Sequence, residues 1–216
     1  MDLNSYDFII PIGSNCRIGM ALRDIGLRKI AFPLDWTLTT SRSIYECFLN
    51  DFEDFLSPNS CKEQNLKHIV NFKHITNYKY NVNITHEPLL SKEAIDKYKR
   101  KTLNLNNVLS KSNKILLIRN MLDCKILDVL HNDIAAKEEK EGFKHYDLTW
   151  IYKTKDLLTN KYPNLEVDLL VIYYNVENIR NNIRDDVYYR TSNYPKIGKE
   201  WDRFACAEIL KESMRK

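Results

Sequence analysis

The chain has few of the residues that break regular structure. It holds five glycines and six prolines in 216 residues. It has no low-complexity segment and no internal repeat. No apolar run approaches the 18 or so residues of a membrane span, and the opening MDLNSYD is polar and acidic where a signal peptide would be apolar. A chain without span or leader is expected in the cytoplasm, away from the membrane. The five cysteines (16, 47, 61, 124 and 206) are odd in number, unevenly spaced and free of any C-x-x-C pair. That argues against a disulfide framework and a structural zinc site, and for a reducing compartment. Charge is also nearly balanced. The net value of +4 comes from 33 basic and 29 acidic residues, interspersed, and the 13 tyrosines are scattered instead of alternating with a basic stripe. No nucleic-acid partner is therefore expected. GxxxxGK[ST], GxGxxG and GxSxG are all missing, so no nucleotide cofactor is implied.

What remains is an ordinary globular composition, 44% hydrophobic and 29% charged, read as a single α/β domain over residues 1–216. KILLIRN and VDLLVIYYN are nearly continuous apolar runs, as in strands buried on both faces. Phe8–Ile12 is a third short apolar run. Tyr78, Tyr80, Val82 and Ile84 alternate with polar residues, the pattern of a half-buried strand. KHIVNFKHI and DVYYRTSN add weaker strands. Helical periodicity covers 17–25, 41–50, 91–112, 121–140, 145–162 and the C-terminus. In the third of these, Ile95, Tyr98, Leu103 and Val108 are expected to face inward. Alternating strands and helices predict an α/β sheet of about six strands, parallel or mixed, with helices on both faces.

The stretch with most chemistry is Tyr6–Trp36. A strand ends at Ile12, and Gly13-Ser14-Asn15 supplies turn and capping chemistry. Cys16 follows at the start of a helix that Gly26 ends. Free amides and the helix dipole favour a thiolate there, and Arg17 adds a cation. The alternative is a cysteine packed as a small core hydrophobe. A nucleophilic thiol needs a base. Of the five histidines, His86 stands out because it closes the Tyr78–Thr85 strand pattern and is followed by Glu87 and Pro88. If that strand were parallel to the one before Cys16, both groups would meet on one rim. Arg119 and Asn120, after ILLI, would lie near that rim and could bind an anionic group or orient the imidazole. Asp35 is either a turn cap or a buried carboxylate with a fixed partner. His68 and His74 share strand parity, which does not specify a metal site.

The run IIPIGSNCRIGMALRDIGLRKIAFPLDW resembles the opening motif of the "putative papain-like cysteine peptidase" family of bacteria and large DNA viruses. Its pattern is a strand, LGSNC, an amphipathic helix and PFDW; here Pro33-Leu34-Asp35-Trp36 takes the last place. ITHEPL is similar to the family's strand ending in His-Asp, with Glu87 in the acidic position, and KYKRKTLNL to its Arg-rich helix. The resemblance implies Cys16 as nucleophile, His86 as base and Asp35 or Asn120 as the orienting residue. It also implies a papain-like α+β fold as the alternative architecture. Backbone amides near Ser14, Asn15 and Cys16 would form an oxyanion site. The implied substrate is peptide-like or another acyl compound, attacked without metal or cofactor. Acyl transfer on the same dyad and a non-catalytic viral host-interaction protein, in the host cytoplasm, are the rival readings.

Overall fold

A computed structural model describes residues 1–14, 16–65, 73–87, 89–121, 148–174, 184–192 and 206–212. Residues 122–140 of the expected helix, Asn15, Pro88, His68, His131 and His145 lie outside them; Met121, expected to open that helix, ends a strand.

The apolar runs form the centre. Strands β1 (Phe8–Pro11), β6 (Lys114–Met121), β7 (Glu166–Tyr174) and β8 (Tyr188–Ser192) make one sheet in the order β1-β6-β7-β8, parallel at every pairing. Side chains alternate faces at period 2. Ile9, Leu116, Ile118, Leu170 and Ile172 pack on α1 (Arg17–Asp24) and on the helical residues 206–212. Ile10, Ile115, Leu117, Leu169 and Val171 face a second core. That core is closed by α2 (Ser41–Leu49), α3 (Lys92–Lys111) and α4 (Thr149–Lys161). Both faces of the parallel sheet are thus covered, which explains why its strands read as solid apolar runs.

The remaining strands form a separate antiparallel sheet, ordered β2-β5-β4-β3 from β2 (Thr37–Thr39), β3 (Cys61–Asn65), β4 (Lys73–Asn77) and β5 (Val82–Ile84). The architecture is α/β, with eight strands in two sheets among the described residues where the sequence suggests about six. The two strands beyond that number are β2 and β3. The Tyr78–Ile84 alternation, in turn, is not one strand. Residues 78–81 are the turn of the β4–β5 hairpin, with Asn81 at φ +57°. The Asn77 side chain accepts from the Tyr80 amide at 2.9 Å, and the buried Tyr80 ring stacks on Phe55. The tyrosine is buried by a turn, not by strand parity.

Helix ends follow local chemistry. Thr40 and Ser91 accept amide hydrogens of Ser43 and Ala94 at the starts of α2 and α3. Gly26, at φ +76°, follows the end of α1. The buried stripe of α3 is Ala94, Tyr98, Lys101, Leu105, Val108 and Leu109. Leu103, expected inside, is 62% exposed, and the place the 3-4-3 spacing gives to an apolar side chain is held by Lys101.

Candidate active site

The Cys16 loop is a junction between the two sheets. It leaves the C-terminal end of β1, beside the C-terminal end of the parallel neighbour β6. Ser14 is buried, and its hydroxyl donates to the Asn120 carbonyl at 2.8 Å. The Ser14 carbonyl accepts from the Thr39 amide of β2 at 3.3 Å. Gly13 adopts φ +71°, and a Cβ there would lie 2.1 Å from Thr39 Oγ1. This is one position where only glycine fits.

Arg119 fixes the junction. Its side chain is 2% exposed. Nη1 donates to the Ile12 carbonyl at 2.9 Å and to Thr39 Oγ1 at 3.0 Å, while Nη2 donates to the Thr39 carbonyl at 3.0 Å. The guanidinium thereby ties the end of β1 to the end of β2. Arg119 and Asn120 lie near the C-terminal end of β6, beside the Cys16 loop, and the arginine is committed to protein oxygens.

Cys16 occupies the N-cap position of α1, with αR backbone (φ −71°, ψ −7°). Its carbonyl accepts from Met20 N at 3.0 Å, the first bond of the helix. The amides of the first turn have no carbonyl of their own helix to bond. The thiol is half-buried. Burial pushes it above its ordinary value, and Arg17 pulls the other way. Partial burial therefore outweighs the cation and acts against the thiolate that helix position favours.

One turn further along α1, Gly19 packs on Asp35: a Cβ there would meet the Asp35 carbonyl at 3.1 Å. Residues i and i+3 share a helix face, so Cys16 and the Pro33–Trp36 3-10 turn lie on the same side of α1. Asp35 is fully buried. Its Oδ2 accepts from Arg28 Nε at 3.0 Å, from Arg28 Nη2 and from the Phe32 amide at 3.1 Å. Burial pushes its carboxyl up, opposed by Arg28, the Phe32 amide and Lys101. Asp35 is thus a turn cap with a fixed cationic partner, joining the two roles the sequence offered as alternatives.

His86 follows β5, which belongs to the antiparallel sheet and pairs with β2 and β4. The shared-rim argument for bringing it to Cys16 does not apply. A different route brings it toward α1. The Thr85 amide and hydroxyl both donate to the Trp36 carbonyl at 3.4 Å. The His86 ring sits edge-on to the Trp36 indole, centroids 5.0 Å apart. Arg23 and Arg28 lie over the same indole at 5.9 and 5.5 Å. Glu87 pairs with Lys97 of α3, anchoring this turn. One side of the imidazole meets solvent and the other rests on the indole. That partial burial, with Lys101 and Lys97 acting in the same sense against Glu87, pushes it below its ordinary value.

The Pro33–Trp36 turn is therefore the shared support: α1 packs on Asp35 and His86 packs on Trp36. Among the described residues His86 makes no hydrogen bond to Cys16, Asp35 or Asn120, so no linked triad is present in this resting arrangement. Two clefts, of ≈ 530 and ≈ 510 Å³, lie elsewhere, one lined by Asp7, Lys29 and Asn113 and the other by Phe55, Tyr98 and Leu103. His74 is buried in β4 with Nε2 3.2 Å from Thr76 Oγ1. Among the described residues no three His, Cys, Asp or Glu side chains group as metal ligands, and no helix is long and apolar enough to cross a membrane. Sequence reading missed Trp36 as the support for His86, Arg28 as the partner of Asp35, and Lys101. The one available signal was a lysine on the apolar stripe of α3.

No curated protein and no solved structure matches this chain. A family model does, over residues 7–144, a span that contains Cys16, the Pro33–Trp36 turn, His86 and Asn120. The chain belongs to the family described as "putative papain-like cysteine peptidase".

Proposed function

We propose that the protein is a thiol-dependent hydrolase that opens an amide, isopeptide or ester bond, with Cys16 as nucleophile and His86 as general base and acid. The observation that carries this is Cys16 at the N-terminus of α1 with the His86 ring held on the Trp36 turn against which the same helix packs. Both groups are shifted toward their neutral forms. A neutral imidazole can accept a proton at pH 7, so the dyad works by general-base transfer rather than as a preformed ion pair.

In the first step the imidazole takes the thiol proton as sulfur bonds to the acyl carbon. First-turn amides of α1 and the loop amide of Ser14 would serve as donors to the oxyanion. The intermediate collapses, the imidazolium protonates the leaving amine or alcohol, and an acyl-thioester remains on Cys16. Water then completes hydrolysis, with His86 again as base; another nucleophile in that position would give acyl transfer. Asn120, bonded to Ser14, fixes the loop, and Asp35 holds the turn that carries Trp36. Such a thiol works in a reducing compartment, the cytoplasm of a cell or of an infected host.

The test uses an activated ester. Rapid mixing with p-nitrophenyl acetate should give a burst and an acetyl group on Cys16 by mass spectrometry. The burst should be absent in Cys16→Ala and slower by about 10²–10⁴ in His86→Ala, the usual worth of a positioned acid-base group. Acylation unaffected by His86→Ala refutes the dyad.

A further inference from the structure

The face of α1 that carries Cys16 runs on to a second polar group. Cys16 is the N-cap with αR backbone, so it follows the screw of the helix. Gly19 and Arg23 come one and two turns later on the same face. Both meet the Pro33–Trp36 turn. Gly19 packs on Asp35, and the Arg23 guanidinium lies over the Trp36 indole, Cζ 5.9 Å from the ring centroid. The His86 ring rests against the same indole at 5.0 Å. Arg23 and His86 are thus no further apart than those two separations combined. Helical side chains lean toward the N-terminus of their helix, so the long arginine reaches back along α1 toward the Cys16 end.

Two arginines share the indole and differ in what they have left to bind. Arg28, 5.5 Å from the centroid, gives Nε and Nη2 to the buried Asp35 carboxylate. The Arg23 side chain is 53% exposed. Its one carboxylate neighbour among the described residues is Asp24, whose Oδ1 lies 3.7 Å from Nε, too far for a hydrogen bond and in a setting where such pairs hold weakly. Among the described residues neither Nη atom has a hydrogen bond or an ion pair. A guanidinium held on an aromatic face with this fork unused is preorganised for a carboxylate, which takes two parallel N–H···O bonds from it.

We propose that Arg23 is the specificity-determining residue of the Cys16–His86 site, and that the acyl substrate carries a carboxylate next to the bond that is opened. The carboxylate docks on the Arg23 fork, which places the acyl carbon toward the Cys16 end of the same helix face. A neutral acyl compound lacks that anchor and reacts more slowly. Arg23 touches the substrate and moves no proton.

This inference deepens the hydrolase reading and rests on Cys16 as nucleophile, but its first test needs no acyl chemistry. Iodoacetate and iodoacetamide are nearly the same shape and differ in the carboxylate. Their alkylation rates at Cys16 are read by mass spectrometry of the peptide that contains it, apart from the other cysteines. The iodoacetate-to-iodoacetamide rate ratio should fall about 5-fold in Arg23→Gln, the worth of one charge about 4 Å away in water. Arg23→Lys, which keeps the charge without the fork, should fall between that variant and wild type. In about 1 M salt, which screens charges beyond about 3 Å, the wild-type ratio should collapse toward that of Arg23→Gln. Lys111→Gln removes an equal charge in the last turn of α3 and should leave the ratio unchanged. In the burst assay, the α-p-nitrophenyl ester of N-acetylglutamic acid should acylate Cys16 faster than that of N-acetylglutamine, and Arg23→Gln should abolish the difference. A ratio equal in Arg23→Gln and wild type, an equal fall in Lys111→Gln, or equal acylation by the two esters overturns the proposal. Cys16 acylation indifferent to His86→Ala overturns the hydrolase reading instead and leaves the alkylation ratios standing.

Discussion

Gly13→Ala is the sharpest structural perturbation of the Cys16 loop. Two separate costs apply. At φ +71° an alanine sits in the left-handed region, at about 1–2 kcal/mol. Its Cβ would also lie 2.1 Å from Thr39 Oγ1, a separation that cannot persist. Thr39 must move, and its hydroxyl is a buried acceptor of Arg119 Nη1. Losing a hydrogen bond to a charged donor costs about 1.5–3 kcal/mol. The sum is about 2.5–5 kcal/mol. Thr39→Ala alone removes the same hydrogen bond and the 2.1 Å contact, leaving Arg119 Nη1 at 3.3 Å as the nearest atom, which must give by only a few tenths of an ångström. In that background Gly13→Ala should cost only the backbone part, about 1–2 kcal/mol. The double mutant is therefore expected to be more stable than the two single effects would sum to, by about 1.5–3 kcal/mol, the term otherwise counted twice. Urea titrations of the four proteins measure this at equal slope. A Gly13→Ala cost below about 1 kcal/mol, or additivity within about 0.5 kcal/mol, would refute the close-packed junction.

Two further substitutions probe the supports of the site. Arg28→Met leaves a fully buried carboxylate without its ion pair and should destabilise by about 3–5 kcal/mol. The folded-state carboxyl of Asp35 is already raised by burial and rises further without Arg28. A raised acid binds more protons folded than unfolded, so this variant should lose stability as pH rises from 4 toward 7, measured as urea midpoints across that range. Ser91→Ala removes the oxygen that accepts from Ala94 N at 3.2 Å. It should cost about 1 kcal/mol, read from the thermal midpoint.

The features legible in the sequence are those whose cause is local. β6 and β7 were readable because a strand buried on both faces has no polar positions to alternate. The start and end of α1 were readable because Gly13 and Gly26 mark backbone conformations that other residues avoid. The β4–β5 hairpin was misread because Tyr80 is buried by its turn, through Asn77 and Phe55, and a turn can imitate period 2. Cys16 and its helix were visible in one stretch of chain. The roles of Arg119, Arg28 and Lys101 were not, because each is set by partners met only in the folded state: Thr39 lies 80 residues from Arg119 in sequence. The expected meeting of Cys16 and His86 on one sheet rim failed for the same reason, since strand membership in one sheet or another is decided by tertiary pairing.

The Arg119 clamp also sets an order of events during synthesis. The Cys16 loop is complete in sequence after 16 residues, yet its holding groups, Arg119 and Asn120, arrive a hundred residues later. Long-range pairings of this kind form late. Until β6 has left the ribosome, the Cys16 loop lacks the groups that anchor it in the folded chain. The order in which that loop acquires its fixed geometry is written into the distance in sequence between β1 and its neighbour.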